Sequence, residues 1–243
     1  MRLKVDVIVA SDSFPASAAS KATKTIPIVV IGGRDAVEAG LAATLARPGG
    51  NVTGLTNLAP ELLGKRLELL KETVPRLSRV TVLIETSGGG RTAALAKDMV
   101  RQARSLGIQF VTEEVRGPNP DFNQAFQRIA RSGTEAIIIG PMPPLFPHMK
   151  RIVDLSAKHH YPTMAAGGGW VDAGALMSYG ANTDHLSRRA ATYVDHILKG
   201  ARPAELPVEQ AAKFELVINL KTAKQIGLTI PPNVLARADR VIK

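Results

Sequence analysis

Three glycine-rich turns stand where this sequence could do chemistry. "IVVIGGRD" (28–35) and "VLIETSGGGR" (82–91) each run from a β-branched segment into glycines, and "AAGGGW" (165–170) leads to the single tryptophan. Glycines let a ligand approach the backbone closely, and N–H groups at a helix start can hold a carboxylate or phosphate without a special side chain. The nucleotide loops need more than this. A dinucleotide fingerprint requires three glycines at fixed spacing, and a P-loop requires Lys followed by Ser or Thr; "GGRDAVEAG" (32–40) supplies neither.

Each turn keeps two readings. Asp35 follows Gly33 near an expected helix start, where the macrodipole favours an acid; it is either a cap or a ligand contact. Ser87, Gly88 and Gly89 form either an anion-binding helix start or a flexible turn. A fourth strand end, "GPMPPLF" (140–146), is stiffened by prolines and presents Met142, Pro143 and Phe146. Only 4% of the residues are aromatic, yet Phe14, Phe146, Trp170 and Tyr179 all fall in or beside loops after strands. In an open α/β sheet such loops line the ligand crevice, which points to a pocket with flat apolar walls.

Catalytic patterns are missing. The sequence has no G-x-S-x-G nucleophile elbow and no H-E-x-x-H, and no two of its five histidines lie at the i,i+4 spacing that brings imidazoles to one metal. Without cysteine there is no disulfide, thiolate zinc site or cysteine nucleophile. No metal, cofactor or catalytic group is expected.

The elements that must position these turns alternate along the chain. Strand-like runs are "VDVIVAS" (5–11), "IPIVVI" (26–31), "VTVLIE" (80–85), "IQFVTEEV" (108–115) and "EAIIIG" (135–140). Between them, 61–74, 92–107, 121–133 and 145–160 carry apolar residues at three- and four-residue spacing, with Asp121 as a start cap and Gly107 and Gly133 as stops. The pattern predicts parallel βαβ units with buried strands. Pro- and Gly-rich breaks at 46–61 and 199–215 suggest that the chain leaves one lobe and later returns. The end, "IPPNVLARADRVIK" (230–243), reads as a short Pro-initiated helix.

Composition bounds the rest. A chain of 243 residues with 45% hydrophobic content can build a substantial core. No apolar run approaches the ~20 residues of a membrane span. Asp6 interrupts the start too early for a secretory signal, so a soluble chain without an address is expected. The formal charge of +10 could attract nucleic acid, but the charges are scattered. The densest group, Lys65, Arg66, Lys71, Arg76 and Arg79, is interleaved with acids and apolar residues and reads as a solvated helix face.

Several blocks carry a family resemblance: "TIPIVVIGGRDAVEAGLAATLARPGGNVTGLT" (25–56), "GKRLELLKETVP" (64–75), "AGALMSYG" (173–180) and "KFELVINLKTAKQIGLTIPP" (213–232). Together they resemble the ABC-transporter substrate-binding proteins of the tryptophan/tyrosine uptake type. The resemblance spans essentially the whole chain. It implies a type I-like periplasmic-binding fold of two lobes, each a parallel sheet flanked by helices, closing on a small amino acid or carboxylate. It also implies a periplasmic location, a membrane permease as partner, and no nucleic acid. Ligand residues carried over are Ser11, Asp12, Ser13, Phe14, Gly33 and Asp35 in the first lobe. The second lobe contributes Ser87, Gly88, Gly89, Met142, Pro143 and Trp170, with Tyr179 near the hinge. The lobes are expected as 1–77, 78–178 and a return over 179–243 ending in a helix.

The sequence departs from the family pattern in two ways. Family members normally have an export signal and two further βα units before the strand matching "VDVIVAS", so an incomplete first lobe and a homodimer through its uncovered strand are expected. The "TSGGG" and "GPMPPLF" turns also replace more polar family turns. Two other readings compete: a ligand-sensing domain acting through protein contacts, and an α/β enzyme using Asp12, Asp35 or Asp172.

Overall fold

A computed structural model describes residues 4–33, 35–57, 59–86, 100, 102–140 and 143–243. The chain forms two compact units, unit 1 of Met1–Ala59 with Ala181–Phe214, and unit 2 of Pro60–Gly180 with Glu215–Lys243.

Unit 1 is a parallel sheet in the order β1 (Ile8–Ala10), β2 (Ile28–Ile31), β3 (Val52–Thr56), β9 (Glu209–Gln210). Successive side chains of β2 point to opposite faces, and both faces are covered. Ile28 and Val30 pack with Ala16 of helix α1 (Ser13–Ala22). Val29 packs with Leu186, Ala190, Tyr193 and Ile197 of α6 (Thr183–Leu198). This two-sided burial is why β2 reads as an unbroken apolar run. Gly54 lets β3 approach β2: its φ is +125°, and a Cβ there would lie 2.3 Å from the Val30 carbonyl oxygen.

Unit 2 is a seven-stranded sheet in the order β11 (Arg240–Ile242), β10 (Phe214–Asn219), β8 (Met177–Ala181), β7 (Thr163–Ala165), β6 (Ala136–Ile139), β4 (Arg79–Glu85), β5 (Gln109–Val115). One face meets α2 (Ala59–Thr73) through Leu63, Leu67 and Leu70, packed with Val80, Val82 and Ile138. The opposite face buries Leu83, Ile137 and Ile139 with α3 (Phe122–Arg131) and α4 (Met149–Lys158). Asp121 caps α3 as expected, its Oδ1 accepting from the Gln124 N–H at 3.0 Å. Gly107 and Gly133 take positive φ, +67° and +70°, as the stop positions require.

The structure corrects four expectations. The stretch 60–77 belongs to unit 2 because the leucines of α2 complete that unit's core. Residues 215–243 also return to unit 2 rather than the first lobe, since β10 inserts between β8 and β11 and buries Leu216 and Ile218. The chain ends in a strand, β11, after the short Pro-initiated helix α8 (Pro232–Leu235). Finally, 145–160 is not one helix: a 3₁₀ turn holds Pro143–His148, and α4 starts only at Met149, because Pro147 lacks an N–H to donate. The expected helix over 92–107 lies mostly outside the described residues.

Candidate functional site

The turns read from the sequence sit at the C-terminal ends of the strands, each in its own unit. In unit 1, "ASDSF" follows β1, "GGRD" follows β2, and Asn57 follows β3. They pack tightly. A Cβ at Gly33 would lie 2.5 Å from the Ser13 nitrogen, so only glycine allows the second turn to rest on the first. The Gly33 carbonyl accepts from the Asn57 N–H at 2.9 Å and ties in the third.

Both carboxylates of these turns are engaged by their own backbone. Asp12 Oδ1 accepts from the Phe14 N–H at 2.6 Å and caps α1. Asp35 Oδ1 accepts from the N–H groups of Val37 and Glu38 at 2.8 and 3.0 Å. Asp35 is therefore a cap, but of a tight turn over 36–40 rather than the expected helix. What unit 1 leaves available is an exposed ring and an acceptor. Phe14 is 68% exposed, and Asn57 Oδ1 is buried without a hydrogen-bond partner among the described residues.

In unit 2 the same edge carries Pro143, Phe146, Trp170 and Tyr179. Trp170 lies in the core with Phe122, Leu145 and Val171, 4% exposed. Phe146 meets it edge-on, with centroids 6.2 Å apart at 67°, and remains 47% exposed. A stacking wall needs an uncovered face, and of this pair Phe146 provides it. Ser87, Gly88, Gly89 and Met142 lie outside the described residues.

Arg66 is the residue that sequence reading missed. It is 5% exposed, not part of a solvated face, and its Nε donates to the Tyr179 carbonyl at 2.7 Å. Burial lowers the guanidinium to about 10, against a smaller raising effect from the Tyr179 phenol. A signal was present: Leu62, Arg66, Leu69 and Thr73 recur at helical spacing, which puts an arginine on an apolar stripe. Asn57, at the end of a short strand among many polar loop residues, had no such signal.

The three aspartates open to an acid–base reading are all engaged: Asp12 and Asp35 by backbone, and Asp172 by Arg240, through Oδ1 to Nη1 at 2.6 Å and Oδ2 to Nη2 at 3.1 Å. Among the described residues, no three His, Asp or Glu side chains gather as a metal set. No helix among them is long and apolar enough to cross a membrane.

The sequence profile of the ABC transporter substrate binding protein family matches residues 2–242. The chain belongs to this family. A "Tyrosine-binding protein" of Clostridioides difficile (strain R20291) is 29% identical over 231 residues, 93% of this chain. The chain spans 64% of the length of that protein. Among solved structures, a conserved domain protein from Vibrio cholerae superposes with a TM-score of 0.87 at 32% identity, covering 98% of this chain and 79% of its own. An ABC domain from Streptococcus pneumonia in complex with L-Trp gives 0.86 at 26% identity, covering 99% and 82%. The periplasmic-binding-type fold expected from the resemblance is thus the fold of this substrate-binding family member.

Proposed function

We propose that the chain is the solute-binding component of an ABC uptake transporter, acting outside the cytoplasm, and that its solute is an aromatic amino acid or a related aromatic carboxylate. The observation that carries this reading is the likeness to the L-Trp complex over 99% of the chain at a TM-score of 0.86. The chemistry of the turns agrees with it. Phe14 and Phe146 offer exposed rings for an aromatic solute, and Asn57 Oδ1 offers an acceptor for an ammonium group. Ser11, Ser13 and Gly33 at the strand ends of unit 1, and Pro143 and Tyr179 at those of unit 2, are the other contacts proposed, each within its own unit.

A non-catalytic role is favoured over an α/β enzyme because Asp12, Asp35 and Asp172 already hold partners, leaving none of them placed as a free acid or base. The solute would be delivered to a membrane permease, and differential affinity for a closed state would drive the conformational change. We also propose self-association through β1, an edge strand whose Val9 is 51% exposed. Light scattering that finds a monomer at every concentration would exclude it.

A thermal-shift screen against amino acids, aromatic carboxylates and nucleotides tests the main reading. A ligand at a hundredfold excess over Kd stabilises the native state by about 2.7 kcal/mol, a readily measured shift. A selective response to aromatic amino acids or acids is expected. Selective stabilisation by a nucleotide, or turnover of a bound compound, would overturn the reading.

A further inference from the structure

We infer that Arg66 is the carboxylate receptor of this protein, so that the solute must be an acid rather than the corresponding amide or amine. The inference rests on the binding role proposed above and adds to it a named group in unit 2.

Arginines elsewhere in the molecule are partnered differently. Arg128, Arg189, Arg237 and Arg240 each hold a carboxylate, on Glu113, Glu209, Glu72 and Asp172, although their side chains are 41–45% exposed. Water would solvate these cations in any case. Arg66 is 5% exposed, and among the described residues its one acceptor is a neutral carbonyl, that of Tyr179. A buried cation normally has an ionic partner, because its lost hydration is otherwise uncompensated. Guanidinium, moreover, stays protonated at neutral pH and cannot escape that cost by neutralising.

The geometry leaves the useful part of the group available. Nε is the atom on the Tyr179 carbonyl, so the two terminal nitrogens remain as a fork that matches a carboxylate. Gly180 of β8 lies beside that fork: a Cβ there would stand 3.6 Å from Nη2 and 1.8 Å from the Ala166 carbonyl oxygen. No side chain can grow there. Tyr179 and Gly180 of β8 lie past Ala165, the last residue of β7, in the pairing register, so Arg66 lies at the strand-end edge that also carries Phe146 and Pro143. Satisfying one carbonyl would need only a neutral donor; a guanidinium on the apolar stripe of α2 exceeds that need.

Calorimetry of the full chain tests the inference, with L-tryptophan, L-tyrosine and indole-3-acetate each compared with its own amide. In the wild type each acid that binds should do so about 10- to 100-fold more tightly than its amide, as loss of a charge-assisted pair predicts. Arg66→Met should bring the acid down to the amide's affinity, leave the amide unchanged, and melt no lower than wild type, since a buried cation is removed. Arg66→Lys keeps the charge but not the fork; it should fold even if the methionine variant does not, and weaken only the acids. Acids and amides binding equally to the wild type, or a folded Arg66 variant binding acids at wild-type strength, would overturn the assignment while leaving the binding role intact. A wild type that binds none of the acids would overturn both.

Discussion

At the strand ends of unit 1, charge is internal business: Asp12 and Asp35 each cap the backbone of their own turn, and Gly33 packs against Ser13 to fix one turn on the other. At the strand ends of unit 2, Arg66 is a buried cation whose one acceptor among the described residues is a carbonyl. The difference teaches how a shared sheet architecture divides labour. Acids near helix or turn starts make a rigid platform, since the backbone N–H groups they accept from would otherwise lack partners. An arginine held dry beside a strand end makes a receptor.

The largest expected effect attacks the frame of unit 1. Gly54→Val places a side chain at φ +125° and against the Val30 carbonyl. It should cost more than ~4 kcal/mol, seen as loss of cooperative unfolding by far-UV circular dichroism. A variant that melts like wild type would show that β2 and β3 are not so closely joined.

Next are paired core truncations, Phe126→Ala in unit 2 at ~3–5 kcal/mol and Ile28→Ala in unit 1 at ~2–5 kcal/mol. Trp170 is the only tryptophan and belongs to unit 2, so its fluorescence reports that unit. Phe126→Ala should lower the urea midpoint read by Trp170. Ile28→Ala should lower the one read by circular dichroism and leave the Trp170 midpoint nearly fixed, because Ile28 packs in a core made wholly of unit 1 residues. Coincident shifts in both probes would dissolve the distinction between the two units as separately stabilised bodies.

A smaller effect tests whether Asp12 is a cap. Asp12→Ala should lower stability by ~1 kcal/mol in thermal melts, with Asp12→Asn recovering most of it. Full stability of the alanine variant would make the carboxylate available for another role.

The smallest is a pH effect at the opposite edge of unit 2. There Glu135 accepts from the Ser78 and Arg79 N–H groups at 2.6 and 3.1 Å. The Ser78 backbone bond leads in holding this carboxyl below its usual range. A lowered carboxyl stabilises the fold above its unfolded pKa and loses that contribution as pH falls through the folded value. The difference between wild type and Glu135→Gln, about 1 kcal/mol or less given the exposure of the site, should be full at neutral pH. It should shrink as the pH drops below about 4.5. A pH-independent difference would remove ionisation from the account.

Much of this was legible in the sequence, for identifiable reasons. Strands buried on both faces announce themselves as β-branched runs, and each of the five expected strands overlaps an observed one. Helix α1 was missed because its small residues, "SFPASAASKA", give no apolar stripe to detect. The lobe boundaries were misplaced because a periodic pattern shows that α2 and β10 have buried faces but not which sheet they cover. At the candidate site, turn chemistry offered Asp35 as either a cap or a contact without deciding between them, and it gave no cap reading for Asp12. Trp170 looked like a wall because rarity and loop position say nothing about burial. Arg66 was read as solvated because net charge had been weighed ahead of the stripe on which it stands.

Neither unit is continuous in the chain, and this bears on how the protein is made. The sheet face carrying Val29 and Leu55 is covered by α6, which leaves the ribosome roughly 130 residues after β3, several seconds or more at about 5–20 residues per second. Throughout that interval the nascent chain exposes an apolar β surface with a free strand edge, the kind of species that aggregates or recruits a holding chaperone. Unit 2 is completed later than unit 1, since β10 and β11 follow α6 and β9 in the chain. The interleaving therefore makes folding lag behind synthesis, and it makes the half-made chain, more than the finished protein, the vulnerable form.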